Sequence, residues 1–200
     1  MRLGKVIEGF LWTDIGLSAV LIANILIVNI AGAGEAFLLF DALISLILGM
    51  VSITYTILYL VWLFKIHKHL QQVDSSYPIT PGGALARVMI PLYNLYGIWN
   101  VYSTMARYFK DRFSTNNLGA RLAGFVPVLY LLIFPTSILN TVLSGQPAEQ
   151  SYSTWWFISY IGDIALVIMY ILIVKTVSAG LKKLSTGMAN DPVGQTSLPQ

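Results

Sequence analysis

Four stretches of the chain, roughly Leu11 to Ala31, Phe37 to Phe64, Leu122 to Leu143 and Trp155 to Val174, stay apolar over a membrane's width without a single Lys or Arg. A helix needs about 20 apolar residues to cross the hydrocarbon core. Backbone amides left unpaired in lipid are so costly that each stretch has to be helical. The pattern predicts an all-α integral membrane protein with four transmembrane helices. The rest of the composition agrees: 56% of the 200 residues are hydrophobic and only 10% are charged, against roughly 25% charged in soluble domains. No length is left for a separate catalytic domain in water. The second stretch is overlong at 1.5 Å per residue, so it tilts or runs on into the cytoplasm.

Positive charge near span ends is retained on the cytoplasmic side. Arg2 and Lys5 precede the first span. Lys65, Lys68, Arg87, Arg107, Lys110, Arg112 and Arg121 lie between the second and third, and Lys175, Lys182 and Lys183 follow the fourth. The connections at Gly32 to Ala36 and Ser144 to Thr154 hold only Glu35 and Glu149. All twelve basic residues thus fall on one side of a four-span arrangement in a cell membrane with both termini cytoplasmic. The first span has features of a secretory signal, including the small residues Ala31 to Gly34, but it is longer than a signal core and is interrupted by Asp14, Asn24 and Asn29, which favours an uncleaved helix. Residues 1–184 read as one membrane domain. The tail from Ser185 to Gln200, rich in Gly, Pro, Ser and Asn, reads as flexible. The net charge of +3 is too small to argue for nucleic acid, and with no cysteine there are no disulfides or thiolate metal sites.

The large linker opens with turn chemistry, Val73 to Gly83, that ends the second helix's extension. From Pro91 to Lys110 it becomes amphipathic: Leu92, Leu95, Trp99, Tyr102, Ala106 and Phe109 share one face. This predicts an interfacial or re-entrant amphipathic helix at the inner surface. A fifth span over Val88 to Met105 is the alternative, disfavoured because it would place Lys175, Lys182 and Lys183 outside. Pro91, Asn94, Leu95, Tyr96, Trp99, Tyr102 and Arg107 are the candidate residues for docking membrane lipid, with anionic headgroups attracted to Arg107, Lys110 and Arg112, or for docking a protein partner or a second copy. Gly97 would permit a close helix approach.

Trp62 with Lys65 and Lys68, then Pro81 and Ala84, then Ile90-Pro91-Leu92-Tyr93-Asn94-Leu95-Tyr96 and Trp99 resemble the bacterial membrane family called domain of unknown function 4328. The resemblance covers about residues 58–107. It implies four helices in a bacterial membrane and carries over no catalytic residue.

An ionisable residue at membrane depth is a functional candidate by default. Asp163 lies twelve residues before Lys175, hence roughly 18 Å from the inner surface. The same depth on the other spans reaches Asn24, Ser52, Thr54 and Thr136, which predicts a polar cluster in which a protonated Asp163 donates to Asn24. Asp14 and Asp41 lie nearer opposite faces and read as hydrated. Tyr152, Trp155 and Trp156 read as interfacial anchors. Pro127 and Pro135 read as kinks in the third span.

His67 and His69 project to opposite sides of a helix and read as solvated, so no metal site is expected. There is no nucleophile elbow, phosphate loop or zinc helix, so neither an enzyme nor a cofactor is expected. The leading reading is a non-enzymatic interaction or regulatory component docking lipid or a partner at the inner face. The alternative is a small oligomeric transporter or channel using Asp163. A lipid-modifying enzyme near Asn94, Asn100 and Arg107 is a third.

Overall fold

The protein is described by a computed structural model over residues 2–32, 34–146 and 152–190, with the side chains of residues 91–95, 113 and 187–190 outside that description. Glu149 and residues 191–200 also lie outside it. The described residues form six α-helices: α1 (Arg2–Ala31), α2 (Glu35–Val73), α3 (Pro81–Met89), α4 (Pro91–Lys110), α5 (Asn116–Ser144) and α6 (Thr154–Asn190). Four of them, α1, α2, α5 and α6, are long and apolar enough to cross a membrane.

The helices pack as a ring in chain order, α1 on α2, α2 on α3, α3 on α4, α4 on α5, α5 on α6 and α6 back on α1. Among the long helices the sequence of neighbours is α2, α1, α6, α5. The two short helices close the ring between α2 and α5, and they do so only at one end. That end carries the basic residues, as the ion pair of Lys175 on α6 with Glu8 on α1 at 3.8 Å marks. It will be called the basic end, and the opposite one the far end.

The core sits toward the basic end. Ile7, Leu11, Leu63, Met105, Phe109, Leu122 and Val174 are all at or below 1% exposure. The far half of α2 contributes nothing to it, since the first buried residue of α2 is Tyr59. The apolar face expected on α4 therefore divides. Val101, Tyr102, Met105, Ala106 and Phe109 are buried in the protein, whereas Tyr96 and Trp99 remain exposed. Trp99 stands edge-on to Tyr130 of α5, with ring centroids 5.7 Å apart. The α4–α5 turn is closed by side chains: the Thr115 hydroxyl donates to the Phe109 carbonyl at 2.8 Å and the Asn116 amide to that of Lys110 at 2.6 Å, satisfying orphan carbonyls of the helix end.

Three expectations need correction. The turn-rich stretch ends sooner than anticipated, because Thr80 caps α3 by accepting from the Gly83 amide at 3.1 Å, with Pro81 in the first turn. His67 is not solvated. It is fully buried under Tyr77, ring centroids 5.5 Å apart, because the linker folds back over the end of α2. Residues 185–190, expected to be flexible, continue α6.

The fold-back is latched by Asp74, the C-cap of α2. Its Oδ1 accepts from the Ser76 amide and hydroxyl at 2.9 and 2.6 Å, its Oδ2 meets the Arg112 guanidinium at 2.5 Å, and Arg112 in turn lies 3.5 Å over the Tyr108 ring. The Ser76 donors first, then Arg112, hold the Asp74 carboxyl below its ordinary range. A depressed value stabilises the latch above the unfolded pKa of about 3.9, and the contribution is lost as pH falls through the folded value. Asp74→Asn is expected to raise protease cleavage in residues 74–80 a few-fold at pH 7. As the pH falls through the lowered value of Asp74, the wild type should become as labile as the variant. Equal cleavage at pH 7 would show that the latch contributes nothing.

Candidate functional site

Asp14, Asp41 and Asp163 are held along the inside of the four-helix layer, and each is placed by helical spacing. On α1 the buried stripe Ile7, Leu11, Asp14, Ser18, Leu21, Ile25 and Val28 repeats at three and four residues, so Asp14 and Ser18 face the same neighbours as the leucines, with Asn24 beside them. Asp14 is 4% exposed, not hydrated as its position near a span end suggested. On α2 Asp41, Ser45, Ser52 and Tyr55 recur on one face. On α5 Thr136, Asn140 and Ser144 lie a turn apart, and on α6 Ser159 and Tyr160 lie one turn before Asp163.

The hydrogen bonds join these faces in pairs. Asn24 donates to Asp41 Oδ1 at 3.1 Å, tying α1 to α2. Asn140 donates its Nδ2 to both Asp163 oxygens, at 3.0 and 3.3 Å, and its own Oδ1 accepts from the Ser159 hydroxyl, tying α5 to α6. Ser52 donates to the Tyr55 hydroxyl at 3.1 Å. Tyr55 is within electrostatic reach of Asp14 and Asp163, Tyr160 of Asp41 and Asp163, and Asp14 of Asp163. Measured from the Glu8–Lys175 level, Asp14 lies about 9 Å along α1, Asp163 about 18 Å along α6, and Asn24 with its partner Asp41 about 24 Å along. The three carboxylates are thus a polar file spread over about 15 Å along the helix axes, roughly half the thickness of a hydrocarbon core.

Among the described residues, Lys175–Glu8 and Arg112–Asp74 are the ion pairs. Among the described residues no Lys or Arg forms an ion pair with Asp14, Asp41 or Asp163. An aspartate at the centre of a span costs about 2.5–3.5 kcal/mol on insertion scales. Asp163 is the one nearest such a depth, and a carboxyl held there without a fixed counter-charge takes a proton or another cation.

At the far half of the file a cavity of about 660 Å³ opens between α2, α5 and α6, lined by Asp41, Ser45, Ser52, Asn140, Ser144, Tyr152, Trp156, Tyr160 and Asp163 together with Leu38, Ala42, Leu48 and Gly49. It exists because α2 and α5 flank the layer and are bridged only at the basic end, by α3 and α4. Toward the basic end the file stops at Ile7, Leu11, Leu63 and Val174, all at or below 1% exposed, so the cavity is closed on that side by a dry apolar layer. No protein-family model, curated protein or solved structure matches the chain.

The polar cluster anticipated from depth is brought together only in part. Asp163 and Ser52 line the cavity, and Asn24 joins it through Asp41. Asn24 is not the partner of Asp163, because α1 presents it to α2 while α5 supplies Asn140. Thr54 donates to the Met50 carbonyl and Thr136 to that of Leu132, each within its own helix. Thr136 is buried there one turn from Asn140. Of the α4 candidates, Tyr102 is buried, Tyr96, Trp99 and Arg107 are exposed, and the side chains of Pro91, Asn94 and Leu95 lie outside the described residues. Asn140, Ser159 and Tyr160 went unnoticed in the sequence, although Asn140 and Ser144 continue the Thr136 face at four-residue steps.

Proposed function

We propose that the protein is a small membrane carrier that takes a cation into the Asp41–Asp163 cavity and relays it along the file by way of Asp14. The reading rests on one observation: three carboxylates on apolar helices lack any basic partner among the described residues, and two of them line a cavity separated from the basic end by buried apolar residues. A permanent pore would need a wet path past Leu11 and Leu63. The dry layer there favours alternating exposure, with the cation released toward the basic end when the layer parts. The positive-inside rule puts that end, both termini and the linker in the cytoplasm, which makes the cavity outward-facing in a cell membrane.

The test is uptake into proteoliposomes, followed with an internal pH dye and with a panel of monovalent and divalent cations under an imposed gradient. Wild type should carry at least one cation or the proton well above empty vesicles. Asp163→Asn, which preserves shape and hydrogen bonding, should reduce that flux tenfold or more. Flux equal to that of empty vesicles from protein of intact helicity, or full flux in Asp163→Asn, would refute the reading.

A second reading is supported by the exposed row Met89, Ile90, Tyr96 and Trp99 at the basic end, 59%, 52%, 61% and 41% exposed. In this reading α4 lies at the membrane surface and rests that row in the inner leaflet, where lipid or a partner helix covers it. The chain has no cysteine, so Tyr96→Cys accepts a single fluorophore. Its emission should be quenched by lipids brominated on shallow acyl carbons and not by aqueous iodide; the reverse pattern would place α4 in water.

A further inference from the structure

We infer that the ligand of the far-half cavity is a lipophilic organic monocation, a quaternary or protonated amine with an apolar body, entering sideways from the bilayer between α2 and α5. The inference rests on the carrier reading above and names its substrate class.

Size decides first. A proton needs no cavity, and a water's share of liquid volume is about 30 Å³. A space of about 660 Å³ is in the range of pockets that enclose molecules of drug size, roughly 300–1,000 Å³. The lining then decides charge. Asp41 and Asp163 supply negative charge, and Tyr152, Trp156 and Tyr160 supply aromatic faces, with the Trp156 and Tyr160 rings 5.9 Å apart and inclined by 36°. Carboxylate plus aromatic faces attract an alkylated cation, whose charge is too diffuse to need a tight shell of oxygens.

A metal ion fits less well. Among the described residues no three His, Asp or Glu side chains come close enough to share one. A phospholipid also fits poorly, because its phosphate would meet two carboxylates and no Lys or Arg lines the cavity. The route follows from packing. The far half of α2 has no buried residue and α2 does not pack along α5, so the cleft between them faces the hydrocarbon, with Leu38, Ala42 and Leu48 on its α2 wall. An apolar body can remain in that wall while the charged end reaches the carboxylates.

The experiment is equilibrium binding of tetraphenylphosphonium to the full chain in nanodiscs of zwitterionic lipid, with tetraphenylborate as a probe of the same shape and opposite charge. Saturable binding of the cation alone is expected. It should weaken tenfold or more in Asp163→Asn and in Asp41→Asn, and about fivefold in Trp156→Ala, with Trp156→Phe restoring most of it. Size-exclusion profile and helicity identify any variant that fails to fold. Trp156, at the cavity wall and half-buried, keeps the test alive if an aspartate variant does. Saturation by both probes, or by neither, would overturn the inference, as would binding indifferent to all three substitutions. Flux of inorganic cations or protons that depends on Asp163, without tetraphenylphosphonium binding, would overturn the ligand class and leave the carrier reading standing. Binding without any flux would do the opposite.

Discussion

Gly97→Ala is expected to lower the melting temperature by roughly 6–12 °C, the largest effect of any single methyl added to this protein. Gly97 sits where α4 crosses α3, and a Cβ there would fall inside the Arg87 carbonyl oxygen while lying 2.6 Å from its carbon and 2.8 Å from the Arg87 Cβ. All three atoms are backbone or directly attached to it, so no side-chain rotation relieves the clash and the two helices have to separate. Overpacking of this kind costs about 3 kcal/mol. Gly119 makes the equivalent crossing of α5 on α4, with Lys110 and Ala106 backbone atoms where a Cβ would lie, and Gly119→Ala should behave alike. Gly124 on the same helix has nothing within 4 Å of an added Cβ, and Gly124→Ala should be neutral or slightly stabilising. Unfolding in detergent, followed by circular dichroism, reads all three. A shift below 2 °C in Gly97→Ala would mean that α3 and α4 do not cross as described. Because α3 and α4 join α2 to α5, separating them also removes the closure of the ring at the basic end.

The spans were legible in the sequence because apolar length without basic residues has few other uses, and the overrun of α2 was legible from its length. Rotation about each helix axis was not. Counting residues from the basic end places Asp163 and Asn24 at comparable depth, but depth says nothing of which neighbour a helix turns a residue toward; α1 turns Asn24 to α2, and α5 supplies Asn140 to Asp163. For Asp14 a signal did exist. It occupies the register of Leu11 and Leu21 in a repeat of three and four residues, which marks it as inward-facing whatever its distance from the span end. The Thr80-Pro81 start of α3 was likewise readable as a cap followed by a first-turn proline. The cavity was not readable at all, since it arises from what α2 and α5 fail to touch, and no local pattern encodes a missing contact.

Asn140→Leu is the substitution that best separates architecture from chemistry at the site. The leucine keeps the branched skeleton of the asparagine side chain but removes the donor to both Asp163 oxygens and the acceptor of the Ser159 hydroxyl, which is 1% exposed. Each polar group left unpaired costs about 1–3 kcal/mol, although hydrogen bonds between membrane helices average nearer 0.6 kcal/mol because the separated helices find other partners. A loss of about 2–3 kcal/mol of stability, with a tenfold fall in cation uptake, is the expected result. The double variant Asn140→Leu with Asp163→Leu then divides the two effects. Replacing both partners by apolar groups removes the mismatch at the Asp163 carboxyl and leaves only the Ser159 hydroxyl without its acceptor, so part of the lost stability should return, while uptake stays at the level of empty vesicles. If uptake returned together with stability, the carboxylate of Asp163 would be a strut between α5 and α6 and no part of a cation path.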